Sequence, residues 1–169
     1  MQSNMNIPFD QMPINAKVWI YAANRILTQA EQTDITAKAY VFVSGWTAHQ
    51  QQLKASFAIL NNVFLIVSVD ENYNEVSGCG IDKSIHFMQE IDKDYALNLF
   101  NRLQIELLVD GETILTNKQK LAVMLQEGEA NAQTIMFNKT VTNKKDFDQQ
   151  FQSTLDKSWV YPGLVSHLA

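Results

Sequence analysis

Leu53-Lys54-Ala55-Ser56-Phe57-Ala58-Ile59-Leu60-Asn61-Asn62-Val63-Phe64-Leu65-Ile66-Val67-Ser68-Val69 is the stretch on which the fold turns. Leu53, Ala55, Phe57 and Ile59 alternate with their neighbours, so one side of an extended chain over 52–60 is set against a core. Asn61-Asn62 follows, two residues that tolerate a left-handed φ and therefore close a two-residue hairpin turn. Residues 63–69 return as an almost unbroken apolar run, the pattern of a central strand covered on both faces.

Working outward, residues 16–22 alternate as a strand with both faces occupied. Val18 and Ile20 point one way, Trp19 and Tyr21 the other. Thr28-Gln29-Ala30-Glu31 is a capping box that opens a helix ending near Gly45, with the stripe Ile35, Ala39, Phe42, Val43 and Trp46. Beyond the hairpin, a loop over 70–77 leads to a helix over 81–98 whose stripe is Ile81, Ile85, Met88, Ile91, Tyr95 and Leu99. Leu103, Ile105, Leu107 and Val109 then alternate, and Asp110-Gly111 turns the chain into 112–116.

The order strand, helix, strand, strand, helix, strand is that of a split βαβ unit. It predicts an α+β, ferredoxin-like fold: an antiparallel sheet with two helices on one face. The remainder reads as a C-terminal α/β extension: an added strand, a helix over 118–126, a strand near 134–141, a polar helix over 144–156 and a tail with Trp159, Tyr161 and Pro162. One domain is expected over 1–169, with an irregular surface segment over 1–15, a core over 16–110 and the extension over 111–169. In a ferredoxin-like sheet the first and third strands are adjacent, so Trp19 and Tyr21 are expected to share a face with Phe64 and Ile66. Such a platform can stack RNA bases. The preferred reading is that the extension or a second copy of the chain covers that face, which makes self-association an expectation.

Composition narrows the function classes. With 169 residues, 46% of them hydrophobic and 18% charged, the chain is long enough and apolar enough for a real core. A net charge of −5 argues against nucleic acid or an anionic membrane as the main partner. The first ten residues have no apolar signal core, and no apolar run, that over 63–67 included, is long enough to span a bilayer. A single cysteine excludes an internal disulfide and fits a reducing compartment, so a cytoplasmic location is expected.

The candidate site is Ser77-Gly78-Cys79-Gly80-Ile81-Asp82-Lys83-Ser84-Ile85-His86-Phe87. Gly78 and Gly80 precede the second helix, where free backbone N–H groups favour an anion. The letters echo the phosphate loop G-x-x-x-x-G-K-[ST], but Ser77 and Asp82 stand where its two glycines belong. A carboxylate at 82 would face the phosphates, which excludes that kind of ATPase. Cys79 near a helix start with Lys83 one turn on could be a nucleophile, though Asp82 opposes the effect. His86 is roughly 10 Å along the helix, so a base must be His49 or His167. A free cysteine is more commonly a buried structural one, and that reading is preferred.

Thr47 and His49, in a loop after Trp46, are expected at the same end of the sheet as Cys79, because their strands are antiparallel neighbours. The predicted ligand-binding set is Gly78, Cys79, Gly80, Asp82, Lys83, Thr47 and His49, with Cys79 and His49 as candidate catalytic groups. The histidines are scattered, and Asp82 with His86 reads as a solvent-facing pair, so no metal or cofactor is expected.

The stretch Ser77–Phe87, with Gly45-Trp46-Thr47-Ala48-His49 and Leu53-Lys54-Ala55-Ser56 upstream, resembles a family of short, uncharacterised bacterial proteins. Some members carry the label "ABC transporter ATPase". The similarity runs from about residue 17 to the middle of the chain and weakens after it. The label implies a nucleotide site, which a chain lacking both phosphate-loop glycines does not support, and the family supplies no catalytic residues to carry over. The leading expectation is a soluble, non-catalytic module that binds a small anionic ligand or a protein. The competing one is a thiol-dependent enzyme or redox protein using Cys79.

Overall fold

The computed structural model of the chain describes residues 6–166. Residues 1–5 and His167 lie outside that range. Ahead of the first strand the chain does not simply run over the surface. The Ile7 N–H donates to Ala55 O at 3.0 Å, and Phe9, in a 3-10 turn over Phe9–Gln11, is buried with Met12. Apolar side chains so close to strand-pairing backbone give this segment more to gain from the core than its prolines suggest.

Strand β1 (Lys17–Ala22) leads to helix α1 (Gln29–Gly45). The capping box forms as expected: the Glu31 N–H donates to Thr28 Oγ1 at 3.2 Å and the Thr28 N–H to Glu31 Oε2 at 2.9 Å. Arg25 adds a bond to the same carboxylate at 2.8 Å, and chiefly this bond, then the Thr28 N–H, holds the Glu31 pKa down at about 2.

The expected single strand over 52–60 is interrupted. Residues expected as loop and strand form a small hairpin, β2 (Thr47–Ala48) with β3 (Gln51–Gln52), turned by His49 and Gln50 at φ 50° and 63°. Strand β4 (Ala55–Leu60) follows, and Asn61 and Asn62, at φ 53° and 59°, return the chain into β5 (Phe64–Val69). Strand β5 is central and fully buried, as its composition requires, in an antiparallel sheet ordered β1-β5-β4.

Helix α2 (Gly78–Tyr95) packs with α1 on one face of this sheet, where Phe42 stacks on Phe87 at 4.5 Å over Leu65, Val67, Met88 and Ile91. It starts three residues earlier than its apolar stripe suggested, because the Ser77 hydroxyl caps it by accepting from the Gly80 N–H at 3.1 Å. It also ends earlier, at Ala96 in the left-handed region (φ 54°), so Leu99 lies beyond it.

The fourth strand departs from the ferredoxin-like order. Strand β6 (Gln104–Val109) does not join β1. It pairs with β7 (Glu112–Asn117) and with β8 (Ile135–Phe137), which in turn pairs with β9 (Gln152–Thr154), giving a second antiparallel sheet ordered β7-β6-β8-β9. Asp110 and Gly111, at φ 51° and 80°, fold β7 back on β6 over six residue pairs, and short loop closure makes that pairing entropically easy. With β8 on its other side, β6 has no edge left for β1. The fold is α+β with antiparallel sheets, and the extension claims a strand expected in the core.

Helix α3 (Lys118–Glu127) and the short α5 (Tyr161–Val165) cover the outer face of the second sheet through Leu121 and Leu164, joined by Leu155 of a 3-10 turn over Leu155–Lys157. The polar helix expected over 144–156 stops as α4 (Lys144–Gln150), since residues 152–154 are taken by β9. The two sheets meet face to face, with Phe64 against Phe137 at 4.8 Å and Val18, Ile66, Phe147 and Phe151 around them.

Register removes the aromatic platform. Trp19 lies opposite Val67 and Ile20 opposite Ile66. Directly opposed residues share a face, so Trp19 and Tyr21 join the helix side while Phe64 and Ile66 share theirs with Val18 and Ile20. The latter face is covered by the C-terminal part of the chain itself, the outcome preferred from the sequence.

Candidate functional site

At the predicted site, helix start and β2–β3 hairpin do meet. Lys83 Nζ donates to Thr47 O and to Thr47 Oγ1, both at 3.3 Å. Trp46, buried beneath, donates from Nε1 to Gly80 O at 2.8 Å. A Cβ on Gly80 would stand 3.0 Å from Val76 Cγ2 and 3.4 Å from Ala48 Cβ, so this glycine serves close approach of hairpin and helix. Thr47, Gly80 and Lys83 are therefore brought together.

Gly78, Cys79 and Asp82 sit exposed on the first turns of α2, and His49 is exposed at the hairpin tip. Cys79 is not the buried structural cysteine that was preferred. A capped helix start whose third residue is the one packed inward leaves the second on the solvent side. The amine of Lys83 is turned onto Thr47 oxygens, and the Gly80 N–H is taken by Ser77, so two of the groups expected to receive an anion already have partners.

A concavity lies elsewhere, beside the β1 edge that β6 was expected to occupy. It has a volume of about 610 Å³, within the range of small-molecule sites. Five consecutive residues of β1, from Val18 to Ala22, form one wall, and residues 139–142 form the other. The two walls are joined where the Val18 N–H donates to Thr142 O at 3.0 Å and the Lys144 N–H to Ala16 O at 2.9 Å, a single bridge between Lys17 and Asn143. Beyond that bridge they part.

Aromatic side chains furnish the interior. Tyr21 meets Phe100 edge-on at 5.5 Å, and Trp159, 64% exposed, stands at the rim. Burial raises the Tyr21 pKa above its ordinary value, with the charge of Arg102 opposing the shift. Two cations, Arg102 and Lys139, line the space, and no aspartate or glutamate does. Arg102 has no ion pair among the described residues.

Lys139 is held from behind. Its Nζ donates to Glu106 Oε1 at 2.8 Å and to Gln104 O at 2.9 Å. Gln104 Nε2 bonds both Glu106 Oε1 and Ala23 O at 2.9 Å, tying β6 to the end of β1. Glu106 is wholly buried, and its Oε2 has no hydrogen-bond partner among the described groups. A smaller cavity of about 230 Å³ adjoins, sharing Met136, Thr140 and Trp159 and adding Lys157, again without a carboxylate in its lining.

Sequence reasoning named Trp19, Tyr21 and Trp159 without placing them at a cavity, and it named none of Phe100, Arg102 and Lys139. The one available signal was Glu106, a charge at an inward position of an apolar strand, which requires a buried partner from elsewhere in the chain. Among the described residues no group of three histidine, cysteine, aspartate or glutamate side chains is placed to hold a metal, and no helix is long and apolar enough to cross a membrane. Compared with protein-family models, with curated proteins and with solved structures, the chain matches none of them.

Proposed function

We propose that this chain is a non-catalytic, cytoplasmic binding protein whose ligand carries a carboxylate and occupies the cavity along β1. One observation carries the reading: in a chain of net charge −5, the cavity is lined by two cations and no anion. Arg102 would take the carboxylate, its planar fork matching that group in two parallel bonds. The aromatic floor would hold the ligand's apolar part, and Lys139, partly neutralised by Glu106, would add a weaker attraction. The site expected at α2 becomes a packing junction in this reading, with Lys83 and Thr47 fastening the hairpin. Self-association through the three-stranded sheet is not part of the proposal, because both of its faces are covered within the chain.

Glutarate, a flexible dicarboxylate, is the test ligand, followed by the fluorescence of Trp19 and Trp159, both of which line the cavity. Saturable binding is expected, weakened roughly tenfold in Arg102→Ala, the scale of a lost charge-assisted hydrogen bond. No binding, or binding indifferent to Arg102→Ala, would overturn the reading.

The competing class, a thiol-dependent enzyme or redox protein, has the exposed Cys79 in its favour. It requires that Cys79→Ser abolish a measurable reaction. The binding reading requires that Cys79→Ser take up glutarate as the parent chain does.

A further inference from the structure

Resting on the reading that the cavity along β1 is the binding site, we propose that its physiological occupant is an extended acidic peptide segment that pairs with β1 as an added strand. The backbone of β1 supplies the first support. In a strand, successive residues direct their N–H and C=O groups to opposite edges. Two bonds fix which residues face which way: the Ala23 N–H goes to Val63 O, on the β5 side, and the Val18 N–H goes to Thr142 O, on the outer side. Residues 18, 20 and 22 therefore face outward. Val18 is engaged by residue 142, whereas the N–H groups of Ile20 and Ala22 have no partner among the described residues and open onto the cavity.

Edge strands normally carry devices that block a further strand, such as a proline, a bulge or a lysine in the exposed stretch. Val18-Trp19-Ile20-Tyr21-Ala22 carries none of these, and its one charged neighbour, Lys17, lies at the position already bridged to Asn143. The segment around 142–144 runs antiparallel to β1 and begins a strand slot that it does not continue. At about 3.3 Å per residue, the remaining edge accommodates some three or four residues of an incoming strand, which would lie about 4.8 Å from β1. Backbone pairing would give affinity, and the lining would give selectivity.

Charge selects the occupant. Arg102 and Lys139 line this cavity and Lys157 the adjoining one; Lys139 is paired from behind with Glu106, whereas Arg102 and Lys157 have no ion pair among the described residues. Because alternate side chains of an extended segment point the same way, acidic residues two apart would both face these cations. Tyr21, Phe100 and Trp159 leave room for an apolar side chain between them.

The test is selection of a phage-displayed library of random dodecapeptides on the full-length chain, with Arg102→Glu as the parallel target. Enriched peptides are expected to carry acidic residues at alternate positions and to be lost on Arg102→Glu. Synthetic copies N-methylated at alternate amides, which keep charge and side chains but lose one edge of backbone donors, should bind at least about tenfold more weakly for one of the two methylation phases. Exchange of the Ile20 and Ala22 amide protons should slow on adding the unmethylated peptide. Enriched peptides that tolerate both methylation phases would overturn strand addition. So would failure of the chain to enrich any peptide over Arg102→Glu while glutarate still binds, a result that leaves the carboxylate cavity standing. If glutarate and peptides both fail, the cavity reading falls with this one.

Discussion

Glu106 is a carboxyl with no exposure to solvent and one oxygen without a hydrogen-bond partner among the described groups. Burial raises its pKa above the ordinary 4.5, although Lys139 and Gln104 both work to lower it. The folded chain therefore holds a proton more readily than the unfolded chain does. The stability linked to this group is complete below about pH 4.5 and is lost as the pH rises through the folded value. Each unit of difference is worth about 1.4 kcal/mol. Urea denaturation at pH 4.5 and at pH 7 should show the parent chain losing more stability across the interval than Glu106→Gln, which cannot ionise. An equal loss in both would show that the Lys139 pair, rather than burial, governs the carboxyl.

Helix α2 shows how one element can hold two glycines for different reasons. Gly78, with nothing within 4 Å of a built Cβ, keeps no space clear, whereas Gly80 lies against Val76 and Ala48. Gly78→Ala should raise stability by about 0.5 kcal/mol, chiefly by restricting the unfolded chain. Gly80→Ala gains the same helix propensity but must push Val76 or the hairpin aside, at a cost of about 1–3 kcal/mol, so it should be destabilising. Thermal unfolding of the two variants side by side decides the matter, and matching shifts of the same sign would refute the packing role of Gly80. The capping box at Thr28 and the left-handed residues at Asn61, Asn62 and Gly111 were readable because each depends on neighbours within four residues.

Over the whole molecule, the part of the chain after β6 is not an appendage. Residues of β7, β8 and α4 cover the face of the first sheet that carries Val18, Ile20, Phe64 and Ile66. A chain ended at residue 110 would expose that face and leave β6 without either of its strand partners. It should bind the dye ANS and lose cooperative unfolding, where the full chain unfolds in one transition. A truncated chain that melts cooperatively would mean that β6 can move to the edge of β1, as the ferredoxin-like order supposes.

By itself the sequence determined what is local: the capping box, the Asn61-Asn62 and Asp110-Gly111 turns, the buried central strand β5, and the two helices on one face of β1, β5 and β4. These follow from periodicity and turn chemistry, whose physical range is a few residues. It also put Thr47 and His49 at the end of the sheet where α2 begins, because antiparallel neighbours bring their loops to one end, while the bonds from Lys83 to Thr47 appear only in the structure. Only the tertiary structure decided which edge β6 would take, since an alternating strand carries no mark of its partner and the nearby β7 competes with the distant β1 at a lower entropic cost. That one choice left the β1 edge uncovered and gathered Arg102, Lys139 and Trp159 around it from segments far apart in the chain. No spacing in the sequence records a cavity made of that kind.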